Sequence, residues 1–212
     1  MALTIALPKG RLGEDTEKLM LSAGIITTPV PRDSRKLIFE VGGGFEIILV
    51  RAWDVPTYVE SGTADIGICG KDDLLEHGAD VLELLDLGFG FCRMTVAAKN
   101  EISRDELLSR QYLRVATKYP NIARRYFGAV SIQAEIVKLY GSVELAAVTG
   151  MSDCIVDLVS TGGTLRENGL HVVEDIFDST ARLVLNRAAY YRSLDKVDAM
   201  VERMRAALSS EK

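Results

Sequence analysis

The stretch Cys154-Ile155-Val156-Asp157-Leu158-Val159-Ser160-Thr161-Gly162-Gly163-Thr164-Leu165 sets an apolar run directly before a Thr-Gly-Gly-Thr loop and a renewed helical pattern. A short apolar run bounded by turn residues reads as a buried strand. A strand that empties into a glycine loop and then a helix is the building unit of a parallel α/β sheet. The loop predicts backbone N–H groups and the hydroxyls of Thr161 and Thr164 converging on one point, while Gly162 and Gly163 let the backbone close in on a ligand. That chemistry suits a phosphate monoester. Asp157, just upstream, is placed to accept hydrogen bonds from ribose hydroxyls. An ordinary strand-to-helix turn with a threonine cap accounts for the same residues, so the loop alone leaves both readings open.

The alternation continues on both sides of this stretch. Leu3–Leu7 reads as a strand, and Pro8-Lys9-Gly10 opens a helix whose buried face is Leu12, Thr16, Leu19, Met20 and Ala23, ended by Gly24. Lys36–Val41 and Phe45–Arg51 read as strands joined across Gly42-Gly43-Gly44. Asp54 is expected to cap a helix, with Pro56 in its first turn, running to about Gly62. Ala64–Cys69 is a buried strand, and Gly70-Lys71-Asp72 turns into the next helix. Phe91–Ala98, Leu113–Thr117, Ile132–Leu139 and Arg182–Asn186 are strand-like, and Asn121 is expected to cap a helix to Phe127. Val143–Val148 makes a short helix, and Thr164–Asn168 begins another turn. The last helix carries an apolar stripe of Leu194, Val197, Val201, Met204 and Leu208, a core or dimer face. This pattern is compatible with one doubly wound sheet and with two lobes alike.

Composition sets the outer limits. With 212 residues, 48% hydrophobic and 26% charged, the chain falls outside the disordered, collagenous and low-complexity classes. Twenty-five Lys and Arg against 30 Asp and Glu leave a formal charge of −5, which argues against a nucleic-acid or anionic-membrane partner but permits a local basic pocket for a small phosphorylated ligand. Ala2–Leu7 is too short for a signal segment, and no run approaches the ~18–20 apolar residues of a membrane span. Cys69, Cys92 and Cys154 stand far apart in apolar runs, so reduced thiols and a cytoplasmic location are expected. His77 and His171 form no nucleophile–base pair and no metal pattern, and surface or loop positions are expected for both.

The wider segment is more specific than the loop. Glu144, Gly150, Ser152, Ile155, Asp157, Leu158, Thr161, Gly162, Thr164 and Leu165 stand at the spacing of the ATP phosphoribosyltransferase family, which the chain resembles. The likeness extends to Leu7-Pro8-Lys9-Gly10-Arg11, Ser34-Arg35-Lys36, Arg51–Pro56 with Tyr58 and Val59, Gly62–Asp72 and Ala116–Tyr119, and so covers essentially the whole chain. It resembles the short form, without an appended C-terminal regulatory domain. The resemblance implies an α/β fold of type II periplasmic-binding-protein kind, with two lobes around a central cleft. Residues 1–91 with 179–212 would form the first lobe and residues 92–178 the second.

The resemblance further implies the reaction. N1 of the ATP adenine attacks C1 of phosphoribosyl pyrophosphate, and pyrophosphate leaves, as the first step of histidine biosynthesis. It implies Arg11 and Arg35 as catalytic residues near the leaving pyrophosphate. Lys9, Arg11, Arg35, Arg51, Lys118 and Tyr119 would bind ATP. Glu144, Asp157, Ser160, Thr161, Gly162, Gly163, Thr164 and Leu165 would bind phosphoribosyl pyrophosphate. The implied cofactor is Mg²⁺, held mainly by substrate, with Glu144 and Asp157 nearby. The implied partner is a regulatory subunit similar to histidyl-tRNA synthetase, joined by homodimers of this chain in a hetero-octamer. Taken singly, each arginine also fits a solvated surface charge, Lys118 and Tyr119 also fit packing roles, and Cys92 fits a small residue at a lobe crossing. Two other readings stay open: a non-catalytic two-lobed binding module, and a phosphoribosyltransferase for a different base.

Overall fold

The computed structural model describes residues 2–31 and 34–210. The elements begin β1 (Leu3–Pro8), α1 (Arg11–Ser22), β2 (Ile38–Gly42), β3 (Phe45–Val50), α2 (Val55–Glu60), β4 (Ile66–Gly70), α3 (Lys71–His77) and β5 (Leu82–Asp86). Next come β6 (Cys92–Lys99), α4 (Arg104–Leu108), β7 (Tyr112–Thr117), α5 (Pro120–Ala129), β8 (Gln133–Lys138), α6 (Val143–Val148), β9 (Cys154–Val159), α7 (Gly163–Glu167) and β10 (Leu170–Ser179). The last three are β11 (Ala181–Leu185), α8 (Arg187–Arg192) and α9 (Leu194–Ser210). Contacts divide them into two units: the first ends at Gly90 and resumes at Thr180, and the second is Phe91–Ser179.

Period-two burial builds the first unit. Leu3, Ile5 and Leu7 of β1, Ile66 and Ile68 of β4, and Leu183 and Leu185 of β11 join one core cluster with Leu19 and Met20 of α1 and Val197, Met200, Val201 and Met204 of α9. The intervening Ala6, Cys69 and Val184 face the other way, against Val55 and Val59 of α2 and Leu74 of α3. The sheet order is β2-β3-β1-β4-β11-β5, parallel from β3 through β1 to β4 and antiparallel outside that group. In the second unit the order is β10-β6-β9-β7-β8, parallel from β8 through β7 to β9. Its core includes Ala97, Ala116, Ile155 and Val159 under Val143, Ala146 and Ala147 of α6 and Leu165 of α7.

Both units share one topological step. From a central strand, β1 or β7, the chain moves to a neighbour on one side, β3 or β8, and then to the other side, β4 or β9. Such a reversal opens a crevice at the carboxyl ends of the parallel strands, where ligands bind in open α/β sheets.

Several expectations change. Asn121 is not the cap of α5: Pro120 takes the first helical position, where its missing N–H costs nothing, and Tyr119 precedes it. Asp54 makes no side-chain cap bond, because a short 3₁₀ turn over Ala52–Asp54 leads into α2. Leu194 is exposed, and Met200 joins the buried stripe of α9 instead. Neither histidine lies in a loop. His77 ends α3 with its ring centroid 4.6 Å from that of Trp53, and His171 lies within β10.

Candidate active site

At the carboxyl edge of the first unit's sheet, Pro8 lies opposite Val50, and the Lys9 amide donates to the Val50 carbonyl at 2.9 Å. Lys9 and Arg51 therefore leave neighbouring parallel strands at the same level, and Arg11 begins α1. The antiparallel register of β2 on β3 pairs Ile38 with Ile48, and the Leu49 amide donates to the Leu37 carbonyl at 2.8 Å. Arg35 stands three residues before β2, in the segment that leads into that strand. All four cations are exposed, and none is held in an ion pair by a described residue. Some other cations are neutralised: Lys71 by Glu83, Arg93 by Asp175, Arg182 by Glu83 and Asp86, and Arg192 by Asp65. Lys9, Arg11 and Arg51 are thus exposed cations at the carboxyl edge of the parallel strands, where the pattern can meet anions.

Gly13 explains how closely that edge is built. A Cβ at this position would come within 1.8 Å of the Pro8 carbonyl oxygen, so α1 is seated directly on the end of β1.

In the second unit, Glu144, Asp157, Leu158, Val159 and Ser160 to Leu165 line one cavity of about 240 Å³. The loop follows β9, turns at Gly162 with φ 73, and enters α7. A residue with a Cβ strains at that φ, which fixes glycine there. Buried Leu165 anchors the loop in the core, leaving Ser160, Thr161 and Thr164 exposed. Asp157 is half-buried, and its Oδ1 accepts from the Leu158 amide at 2.9 Å. Glu144 enters from the first turn of α6. All eight residues expected at a phosphoribosyl pyrophosphate site thus meet around one space.

Lys118 and Tyr119 follow β7, the strand beside β9, but do not line that cavity. Thr117 is fully buried; its hydroxyl donates to the Val156 carbonyl at 2.6 Å and accepts from the Tyr119 amide at 2.8 Å. Those bonds stitch the end of β7 to β9 and set where Lys118 stands. Tyr119 is only 4% exposed, so its ring packs inward, with Lys118 Nζ 5.6 Å from its centroid.

One residue that holds the loop escaped the sequence reading. Arg166 Nη1 donates to the Thr161 carbonyl at 3.0 Å and lies 3.1 Å from where a Gly162 Cβ would stand. Its guanidinium thus braces the loop from the following helix. The available signal was a basic residue five positions after Thr161, within reach of the loop's own carbonyls.

A fold of two α/β units, each with a strand-order reversal at its parallel strands, is one that enzymes and receptors for small molecules use. The ATP phosphoribosyltransferase family model matches residues 51–206. The ATP phosphoribosyltransferase of Syntrophotalea carbinolica is 48% identical over 211 residues, covering 99% of this chain and 96% of its own length. That of Caldanaerobacter subterraneus is 48% identical over 208 residues, covering 98% of each. The chain belongs to the ATP phosphoribosyltransferase family, glycosyltransferases that catalyse the first step of histidine biosynthesis. Among solved structures, the ATP phosphoribosyl transferase (HisG:HisZ) complex from Thermotoga maritima superposes with a TM-score of 0.84 at 35% identity, covering 98% of this chain and 99% of that one. The periplasmic aliphatic sulphonate binding protein SsuA of Escherichia coli superposes with a TM-score of 0.61 at 13% identity, covering 98% and 72%. That likeness gives the fold alone, of periplasmic-binding-protein type. Membership in an enzyme family removes the binding-module reading. Among the described residues, no helix is long and apolar enough to cross a membrane.

Proposed function

We propose that this chain joins ATP to phosphoribosyl pyrophosphate with the residues gathered at these two sheet edges. The loop Ser160–Leu165 holds the 5′-phosphate, with backbone N–H groups and the hydroxyls of Thr161 and Thr164 as donors. Glu144 and Asp157 accept from the ribose hydroxyls. Lys9, Arg51 and Lys118 hold the ATP phosphates, and buried Tyr119 supports Lys118. Arg11 and Arg35 contact both substrates and take up charge as pyrophosphate leaves. The adenine N1 lone pair forms the new bond to C1 while the C1–O bond to pyrophosphate breaks, with inversion. The proton is then lost from the exocyclic amine, so no side-chain nucleophile is required.

Two carboxylates beside a phosphate loop form a donor set that fits Mg²⁺ carried largely by substrate oxygens. When bound, the ion neutralises pyrophosphate charge and orients it. Glu144 and Asp157 are the residues that would stand beside it.

The Thermotoga maritima complex supports a partner of HisZ type, which we read as a regulatory subunit similar to histidyl-tRNA synthetase. We assign dimers of this chain within a hetero-octamer, and a cytoplasmic location.

The observation that carries this reading is the convergence of all eight loop-site residues on one cavity. The test is to incubate the chain with ATP, phosphoribosyl pyrophosphate, Mg²⁺ and a pyrophosphatase, and to read the product by mass spectrometry. The N1-phosphoribosylated ATP adduct is expected. No adduct, with the synthetase-like subunit also supplied, overturns the reading.

A further inference from the structure

Thr117 closes β7 and is fully buried, a hydroxyl in a strand that otherwise buries Leu113, Val115 and Ala116. A buried hydroxyl needs partners, and this one has two. It donates to the Val156 carbonyl at 2.6 Å and accepts from the Tyr119 amide at 2.8 Å. Thr117 and Val156 are also the last pair in the parallel register of β7 on β9. Past that pair, β7 turns through Lys118 and Tyr119 into α5, while β9 runs on through Asp157 to the phosphate-type loop. Where the register stops, the hydroxyl takes over the tie between the two chains. One oxygen thus joins the peptide just before Asp157 to the peptide just after Lys118. Each of those planar groups ends at the Cα of the residue concerned, so the hydroxyl fixes both Cα atoms relative to itself. Neighbouring strands confine the same point: the Leu139 amide donates to the Thr117 carbonyl at 3.0 Å, and the fully buried Thr95 hydroxyl donates to the Asp157 carbonyl at 3.4 Å.

We propose that Thr117 is a positioning residue for the transfer reaction. Its hydroxyl holds Lys118, on the ATP side, at a fixed spacing from Asp157, on the phosphoribosyl side, so that the two substrates meet in line. Being fully buried, it acts through these two residues and not on substrate. This rests on the assignments of Lys118 to ATP and Asp157 to the ribose.

The test measures kcat and KM for both substrates in the full chain, for Thr117→Val, Thr117→Ser, Lys118→Ala and the double variant Thr117→Val/Lys118→Ala. Valine keeps the shape and removes the hydroxyl, whereas serine keeps the hydroxyl. Lys118→Ala is expected to lower kcat/KM for ATP by about 10-fold or more, the scale of one lost charge-assisted contact. Thr117→Val is expected to lower it by about 10-fold, below the ~10²-fold that a misplacement of about 1 Å can cost. Part of that loss is expected as a higher KM for ATP, which a smaller folded fraction cannot produce. Thr117→Ser is expected to stay within about 3-fold of wild type, and adding Thr117→Val to Lys118→Ala to cost less than about 3-fold more, as coupled residues do. The same loss from Thr117→Val in both backgrounds, wild-type kinetics in Thr117→Val, or equal damage from Ser and Val each overturn the proposal. Wild-type kinetics in Lys118→Ala instead overturns the reading of Lys118 and removes the ground of the proposal with it. If Thr117→Val fails to fold, Thr117→Ser against Thr117→Ala isolates the same hydroxyl, and equal kcat/KM in those two refutes it.

Discussion

In the function proposed above, Arg11 and Thr164 divide the labour at the scale of single side chains. Arg11→Ala is expected to cut kcat/KM by about 10²–10³, measured by pyrophosphate release, because a donor aimed at developing charge acts mainly in the transition state. Unchanged kcat/KM would remove it from the catalytic set. Thr164→Ala is expected to raise KM for phosphoribosyl pyrophosphate more than KM for ATP, since only the former offers a 5′-phosphate to the loop; equal increases would mean the loop is misassigned. The thiols give a pH-dependent prediction. Burial, with Asp153 second, pushes the Cys154 thiol up from 9.0 to about 12, and burial raises Cys69 as well, helped by Asp73 and Asp72. Between the unfolded and folded values the unfolded chain binds fewer protons, so stability falls as pH rises above about 9, by up to about 1.4 kcal/mol per pH unit for each thiol. Urea midpoints at pH 8 and pH 10 check the sign. At pH 8 alkylation is expected to map first to half-buried Cys92.

At the scale of elements, the loop is held by what lies behind it. Arg166→Ala removes the brace on the Thr161 carbonyl and is expected to raise KM for phosphoribosyl pyrophosphate several-fold while leaving the thermal midpoint within a few degrees, as an exposed side chain should. A fall in kcat alone would argue against a loop-holding role. Phe127 of α5 is fully buried, and Phe127→Ala is expected to cost about 3–5 kcal/mol in denaturant unfolding. The short apolar run of β9 and the short helix α6 were readable with their bounds. Two strands were not. β10 carries Glu174, Asp175 and Asp178, which disguise it; Arg104 and Arg93, distant in sequence, neutralise Glu174 and Asp175 only once the chain has folded. β5 is an edge strand whose Glu83 and Asp86 are likewise answered by Lys71 and Arg182 from other elements.

For the whole molecule, local patterns could not separate one sheet from two, because the crossover strands carry no periodicity of their own. The family resemblance carried by Glu144 through Leu165 implied what periodicity left open. That Lys9 and Arg51 stand side by side was legible only by that resemblance, since parallel register brings them together from segments dozens of residues apart. That gathering sets a final expectation about salt. A net charge of −5 repels a polyanion from a distance, whereas exposed cations such as Lys9, Arg11, Arg35 and Arg51 attract it at contact. At 0.1 M salt the screening length is about 10 Å, so the diffuse repulsion is already weakened while the contact pairs retain most of their strength. Added salt then acts chiefly by competing for the cations. KM for phosphoribosyl pyrophosphate and ATP is therefore expected to rise several-fold between 0.05 and 0.5 M KCl, and Lys9→Ala or Arg51→Ala should flatten that rise for ATP. A KM that falls with salt would mean that the overall negative charge, and not the cationic edge, governs how these substrates are captured.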